Sequence, residues 1–327
     1  MLETEALDFL AIGESIVDFI STEAVSSLRE ATTFQRYVGG SPANIAMNLL
    51  RLGGSAGLIS KLGNDAFGAF IKTRLTRQGL CSDYLVMDSQ AHTSLAFVSK
   101  GSATPDFIIA RDSDYKLTAA DIPEEAIKRA KIIHASTWPL SRQPSRAAVY
   151  KAFELARQQN KLVSFDPNYS AAIWPDHAEA QQVIKDIYRY VDITKASLDD
   201  ARRFFGAGRP PETYIGLYHR LGPQIVVLTM GKAGALLSEE GRILGHLPGR
   251  SPKVVDVTGA GDAFWAGFLM ALLDGHSLET CLLFAREVVE MKLAAIGPLP
   301  AAVDRRQIYA ALPDPATCIK LWTSSFQ

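Results

Sequence analysis

The strongest chemical signal in this chain is the run Asp256-Val257-Thr258-Gly259-Ala260-Gly261-Asp262, which leads straight into the apolar stretch Ala263 to Leu273. The β-branched pair Val254-Val255 in front of it reads as a strand end, the glycines as a bend, and Asp262 as the N-cap of a buried helix. The first turn of such a helix has unpaired N–H groups and the positive end of the helix dipole, so Gly259, Ala260 and Gly261 can wrap an anion without side-chain interference. A carboxylate beside a site that merely stored phosphate would repel its ligand. Asp262 makes chemical sense if it takes a proton from a hydroxyl that attacks a phosphoryl group held by those amides.

A second dense stretch is Gly39-Gly40-Ser41-Pro42-Ala43-Asn44, followed by Ile45, Leu49 and Leu52 at helical spacing and by Gly53. Ser41 reads as an N-cap, Pro42 as the first helical position and Gly53 as the stop. A helix alone explains neither the Gly39-Gly40 pair nor an amide at Asn44. Close approach of a sugar to the backbone explains both, although Asn44 taken singly fits a helix start equally well. Phe9 to Gly13 reads as a buried parallel strand, and Asp18 follows just past its carboxyl end, where open α/β sheets bind ligands. Alone, Asp18 reads as a solvated loop acid.

These stretches resemble the two signatures of the ribokinase-like, or PfkB, carbohydrate kinases, and the resemblance runs from residue 5 to about residue 312. It implies ATP and Mg²⁺ as cofactors, Asp262 as catalytic base beside the Gly259, Ala260 and Gly261 amides, and sugar contacts from Asp18, Gly39, Gly40 and Asn44. On the nucleotide side it implies Thr229, Gly231 and Gly234 of Thr-x-Gly-x-x-Gly, with Asn168 of Asp-Pro-Asn and Lys195. Asp200 would reach Mg²⁺ through water. Asp256 and the carbonyls of the turn Ala294 to Gly297 would hold a monovalent cation such as K⁺. The chain departs from the pattern at Ser170, where an arginine is usual, at Ser197 and Asp200, which replace Asn and Glu, and at Arg286, where an asparagine is common. Arg111 weighs evenly between a surface residue and a contact to ring hydroxyls or a substrate carboxylate. The whole pattern looks most like the fructokinases of that family, so fructose is the expected substrate. A 2-keto-3-deoxygluconate kinase, or a sugar-binding protein without turnover, is the alternative.

The elements that must position these residues follow from periodicity. Strand-like and helix-like segments alternate from Phe9 onward, through Lys131 to Ala135, Arg146 to Gln159, Leu162 to Phe165, Ile225 to Thr229 and Leu278 to Leu293. They predict an α/β fold in one domain over 1–327, with an open, mainly parallel, Rossmann-like sheet flanked by helices. Segments at about 16–38 and 91–112, the latter turning at Gly101 to Pro105, predict a small β-sheet lid, whose exposed edge is a ready homodimer contact. Neither a Gly-x-x-x-x-Gly-Lys-[Ser/Thr] nor a Gly-x-Gly-x-x-Gly sequence occurs.

With 34 Lys and Arg against 35 Asp and Glu, the formal net charge is −1, which leaves no basic footprint for nucleic acid or an anionic membrane. Small molecules, a sugar and ATP, are the expected partners. Cys81, Cys281 and Cys318 are odd in number and far apart, and no signal-peptide pattern is visible, so a cytoplasmic setting is expected.

Overall fold

The computed structural model describes residues 6–100, 106–174, 176–250, 254–295, 299–300 and 302–322. Its strands are β1 (Leu7–Ile12), β2 (Ile16–Ala24), β3 (Phe34–Gly39), β4 (Ala56–Gly63), β5 (Leu85–Asp88), β6 (Leu95–Lys100), β7 (Phe107–Ala110), β8 (Ala130–Ser136), β9 (Leu162–Asp166), β10 (Ile193–Ser197), β11 (Ile225–Thr229), β12 (Ala235–Glu239) and β13 (Arg242–Leu247). The main sheet has the order β13-β12-β11-β10-β9-β8-β1-β4-β5. It is parallel from β11 to β5, while β12 and β13 close one edge antiparallel.

Strand β1 is buried on both faces, so its residues divide by period two between two cores. Leu10 and Ile12 join a cluster with Phe153, Phe165 and Tyr188, whereas Phe9 and Ala11 join one with Trp265, Phe268 and Phe284. From β1 the chain builds the sheet first toward β4 and β5 and then back toward β8. The order therefore reverses beside β1, which opens a crevice at the strands' carboxyl ends.

A separate four-stranded sheet, β3-β2-β6-β7, carries the predicted lid segments. It is mixed, because β2 pairs parallel with β6, while β3 and β7 pair antiparallel at its two edges. The expected hairpin is β6 and β7; the turn proposed at Gly101 to Pro105 lies outside the described residues. Phe107 and Ile108 on the outer strand are 42% and 59% exposed.

The apolar helix Ala260–Leu273 is buried almost all round, as a sequence without a polar face requires, and it packs against the helix Leu278–Leu293. Three local expectations need correction. Val254 and Val255 are not in a strand; the Val255 N–H donates instead to the Leu293 carbonyl at 2.7 Å, so the segment is tied to a helix end. The N-cap is Gly259, in the left-handed region at φ 72°, and Asp262 stands inside the first turn. Likewise Gly40 caps the helix Ser41–Arg51, which frees the Ser41 hydroxyl for another partner.

The two long helices touch at Gly267, where an added Cβ would lie 3.0 Å from both the Ala285 Cα and the Val288 Cβ. Gly267→Ala should therefore destabilise the fold by about 1–2 kcal/mol, an overpacking cost of ~1–3 kcal/mol less the better helix propensity of alanine. Chemical denaturation of the two proteins checks this, and equal stability would mean that the helices separate freely.

Candidate active site

Asp262 is buried, and its two carboxylate oxygens have separate donors from the other motif. The Ser41 hydroxyl donates to Oδ1 at 2.7 Å and the Asn44 amide to Oδ2 at 2.9 Å. The backbone turn at Gly40 makes this possible. Gly40 has φ 99°, and a Cβ there would sit 2.5 Å from the Glu14 carbonyl oxygen, so the helix enters close against the end of β1. Gly39 lies equally close to Asp18, since an added Cβ would fall 2.1 Å from the Asp18 carboxylate. The sequence motif thus brings Asp18, Gly39, Gly40 and Asn44 to Asp262.

Burial holds the carboxylates here above their ordinary range. Asp262 is raised by desolvation, opposed by its donors Ser41 and Asn44 and by the Lys195 charge. Asp18 is raised to about 7, by desolvation and then by the neighbouring Asp262 charge. No side-chain donor among the described residues supports ionised Asp18, whereas two support ionised Asp262. The negative charge of this pair therefore resides on Asp262.

On the other side of Asp262, Lys195 of β10 donates to Asp166 Oδ2 at 2.5 Å, and a Cβ added at Gly261 would lie 3.1 Å from its Nζ. An ammonium thus sits against the start of the helix Ala260–Leu273. The Ala260 N–H is engaged by the Val257 carbonyl at 3.1 Å, while those of Gly259, Gly261 and Asp262 meet no backbone carbonyl among the described residues. The turn therefore offers free N–H groups on either side of Ala260, beside one cation and the helix dipole, rather than the three successive amides of Gly259, Ala260 and Gly261. Asp166, which desolvation raises to about 6 despite its lysine, anchors that cation. Asn168 follows it in an exposed turn at φ 37°.

Other expected site residues are placed differently. Arg111 is neither a free surface residue nor an available substrate contact. It is buried, with Nε donating to Asp114 at 2.7 Å and Nη1 to the Ser141 hydroxyl at 2.7 Å. Asp200 closes a capping box: it accepts from the Tyr169 N–H at 3.0 Å and from both the N–H and hydroxyl of Ser197. Its oxygens face the protein's own donors, and no cluster of three metal-ligating side chains occurs among the described residues. Thr229 ends β11, and Gly231 faces open space. Gly234 instead packs on backbone, since a Cβ there would meet the Leu247 carbonyl at 2.0 Å.

The monovalent-cation expectation also meets an occupant. Lys292, only 3% exposed, donates to the Asp256 carbonyl at 3.1 Å and to Asp256 Oδ2 at 3.0 Å. The Thr258 N–H takes Oδ1 at 2.9 Å. These oxygens already hold an ammonium, so they do not fit a second cation; Ile296 and Gly297 of the proposed turn lie outside the described residues.

Sequence reasoning left three contributors unassigned: Ser41, Asp166 and Glu14. The first two stand inside the quoted motifs, and Glu14 directly follows the β1 glycine. Glu14 is 1% exposed and accepts from the Ser41 N–H at 3.0 Å, with Oε2 unpartnered. Burial, foremost, raises its pKa to about 8.

Two measurements follow from this geometry. Glu14 is raised from 4.5 to about 8, so its stabilising protonation is complete below pH 4.5 and lost as pH rises through about 8. Urea midpoints should fall over that window, and Glu14→Gln should flatten the slope; an identical slope would show that Glu14 titrates normally. Replacing KCl by tetramethylammonium chloride should leave Tm unchanged, whereas Lys292→Ala should gain a K⁺-dependent rise in Tm. A K⁺ effect on the parent would contradict the ammonium's occupancy.

Residues 7–299 match the family model described as pfkB family carbohydrate kinase. An ATP-dependent 6-phosphofructokinase of Thermoanaerobacterium thermosaccharolyticum is 37% identical over 299 residues, or 91% of this chain and 92% of that one. Fructokinase-1 of Oryza sativa subsp. japonica is 33% identical over 308 residues, covering 90% and 95%. The solved structure of Halothermothrix orenii fructokinase superposes with a TM-score of 0.77 at 39% identity, covering 90% of this chain and all of that chain (100%). No helix among the described residues is long and apolar enough to cross a membrane.

Proposed function

Because this chain belongs to the pfkB family of carbohydrate kinases, we propose that it transfers the γ-phosphoryl group of MgATP to a primary hydroxyl of fructose or a fructose derivative, with Asp262 as general base. The observation that carries the reading is the Asp262 carboxylate itself. It is buried, aligned by hydrogen bonds from Ser41 and Asn44, and set at a helix start beside Lys195.

The hydroxyl oxygen attacks the γ-phosphorus and its proton passes to Asp262. The new O–P bond forms as the bond from the γ-phosphorus to the bridging oxygen breaks, and ADP leaves with that electron pair. Asp18 and Asn44 hold the sugar's other hydroxyls, an arrangement in which a protonated Asp18 donates through its hydroxyl and accepts through its carbonyl oxygen. The Gly261 and Asp262 amides and the Lys195 ammonium face the charge on the transferred group, where preorganised donors act without solvent reorganisation. Mg²⁺ enters as part of the nucleotide substrate.

Fructose or a fructose derivative is favoured by the sequence pattern and by the names of the relatives, a fructokinase and a 6-phosphofructokinase. The 2-keto-3-deoxygluconate reading depended on Arg111 to meet a carboxylate, and that guanidinium is already committed to Asp114.

Asp262→Asn keeps the shape and should lower kcat by about 10²- to 10⁴-fold, the usual worth of a general base. Stopped-time ADP release measures it; an undiminished kcat removes Asp262 from proton transfer. Because a base must be ionised and burial raises Asp262, the acid limb of kcat/KM should lie above the ordinary carboxylate range, with rate falling as pH drops through it.

A further inference from the structure

A cavity of about 300 Å³ is lined both by Asp18, Asn44 and Gly259, which are half-buried beside Asp262, and by Arg36, Arg51 and Arg74, of which Arg36 and Arg74 are exposed and so form its outer wall. The three arginines come from β3 and from the helices Ser41–Arg51 and Ala66–Arg77. Phe70 stands between two of them: the Arg36 guanidinium lies 4.3 Å from the ring centroid and that of Arg74 5.8 Å. A ring face holds a guanidinium in place while leaving its N–H fork free. An adjoining open groove, again lined by Arg36, Phe70 and Arg74, adds Arg77.

None of these guanidinium groups has a carboxylate within ion-pair distance among the described residues. Arg51 donates only to neutral acceptors, the Gln78 amide at 2.7 Å and the Leu299 carbonyl at 2.6 Å. The two acids of the same cavity do not compensate. Asp256 is matched by Lys292 at 3.0 Å, and Asp18 stands beside Asp262, which raises its pKa. Elsewhere near the site buried cations are paired with carboxylates, as in Lys195 with Asp166 and Arg111 with Asp114. Clustered, unneutralised arginines repel one another, and a bound anion relieves that repulsion.

We propose that this outer wall is a phosphate subsite, and that the substrate is a ketohexose carrying a phosphate ester remote from the hydroxyl presented to Asp262. This rests on the kinase reading above and specifies its substrate class. A neutral sugar leaves the arginines without a partner. A carboxylate brings one negative charge, whereas a phosphate monoester brings about −1.5 to −2 and three acceptor oxygens, which suits several guanidinium forks. The transfer step is as written above, and its product is a bisphosphate.

The test is ADP release with MgATP and fructose, fructose 6-phosphate or 2-keto-3-deoxygluconate, for the parent, Arg36→Gln and Arg74→Gln. The parent should prefer fructose 6-phosphate over fructose in kcat/KM, and each substitution should lower that preference at least tenfold, chiefly through KM. Preference for fructose in the parent, or an unchanged ratio in both variants, overturns the subsite. Preference for 2-keto-3-deoxygluconate that is lost in the variants overturns the phosphate assignment in favour of a carboxylate. If no sugar turns over, the kinase reading fails separately, and calorimetry with fructose 6-phosphate decides the subsite. Binding that weakens in the variants upholds it, and absent or unaltered binding overturns it.

Discussion

The site depends on keeping one carboxylate charged inside the protein. Desolvating Asp262 disfavours its ionised form, and the compensation comes from donors more than 200 residues away in sequence: Ser41, separated by 221 positions, and Asn44, by 218. That pair of hydrogen bonds is also a tertiary clamp. It joins the first turn of the helix Ser41–Arg51 to the first turn of the helix Ala260–Leu273, and so fixes two helix starts over one crevice. Gly39 and Gly40 serve the same end, because only backbone without a side chain fits between Glu14, Asp18 and the helix start.

Around this centre the protein uses charge with economy. The Lys195–Asp166 pair sets a cation against the helix start, Lys292 fills the oxygens of Asp256, and the Arg111–Asp114 pair is folded away with Ser141 and Trp138. These pairs lie where water is scarce and a lone charge would be costly. The departures at Ser197 and Asp200 make sense in the same terms. Together they build a capping box that satisfies the start of the helix Leu198–Phe205 and hold the Tyr169 N–H, so these residues are structurally complete without a metal. The arginines at the outer wall break this pattern of paired charge.

Much of this was legible in the sequence because the physics is local. Buried parallel strands read as short apolar runs; the Ser-Pro start and the terminal glycine mark the helix Ser41–Arg51; the apolar stretch after Asp262 has no polar face and must be interior. Where local rules compete, the reading shifted by a residue or an element. Ser41 and Asp262 both have good capping side chains, yet glycines in left-handed or neighbouring conformations took the caps, because the two side chains bond each other instead. Val254 and Val255 have strand propensity, but among the described residues they pair with no strand, and the Val255 N–H bonds a helix end instead.

The sequence by itself determined the fold class, the position of the glycine turn and the acid in the first turn of the helix that follows, since spacing over a few residues suffices for a turn, a helix start and a carboxylate at its head. Partnership between distant charges was left to the tertiary structure. Whether Arg111 is free or bound to Asp114, whether Asp256 holds an ion or Lys292, and which arginines share a wall with Asp18 depend on how β3 and two helices converge. Coulomb and hydrogen-bond energies fall off over a few ångströms, and only the packed chain fixes distances on that scale.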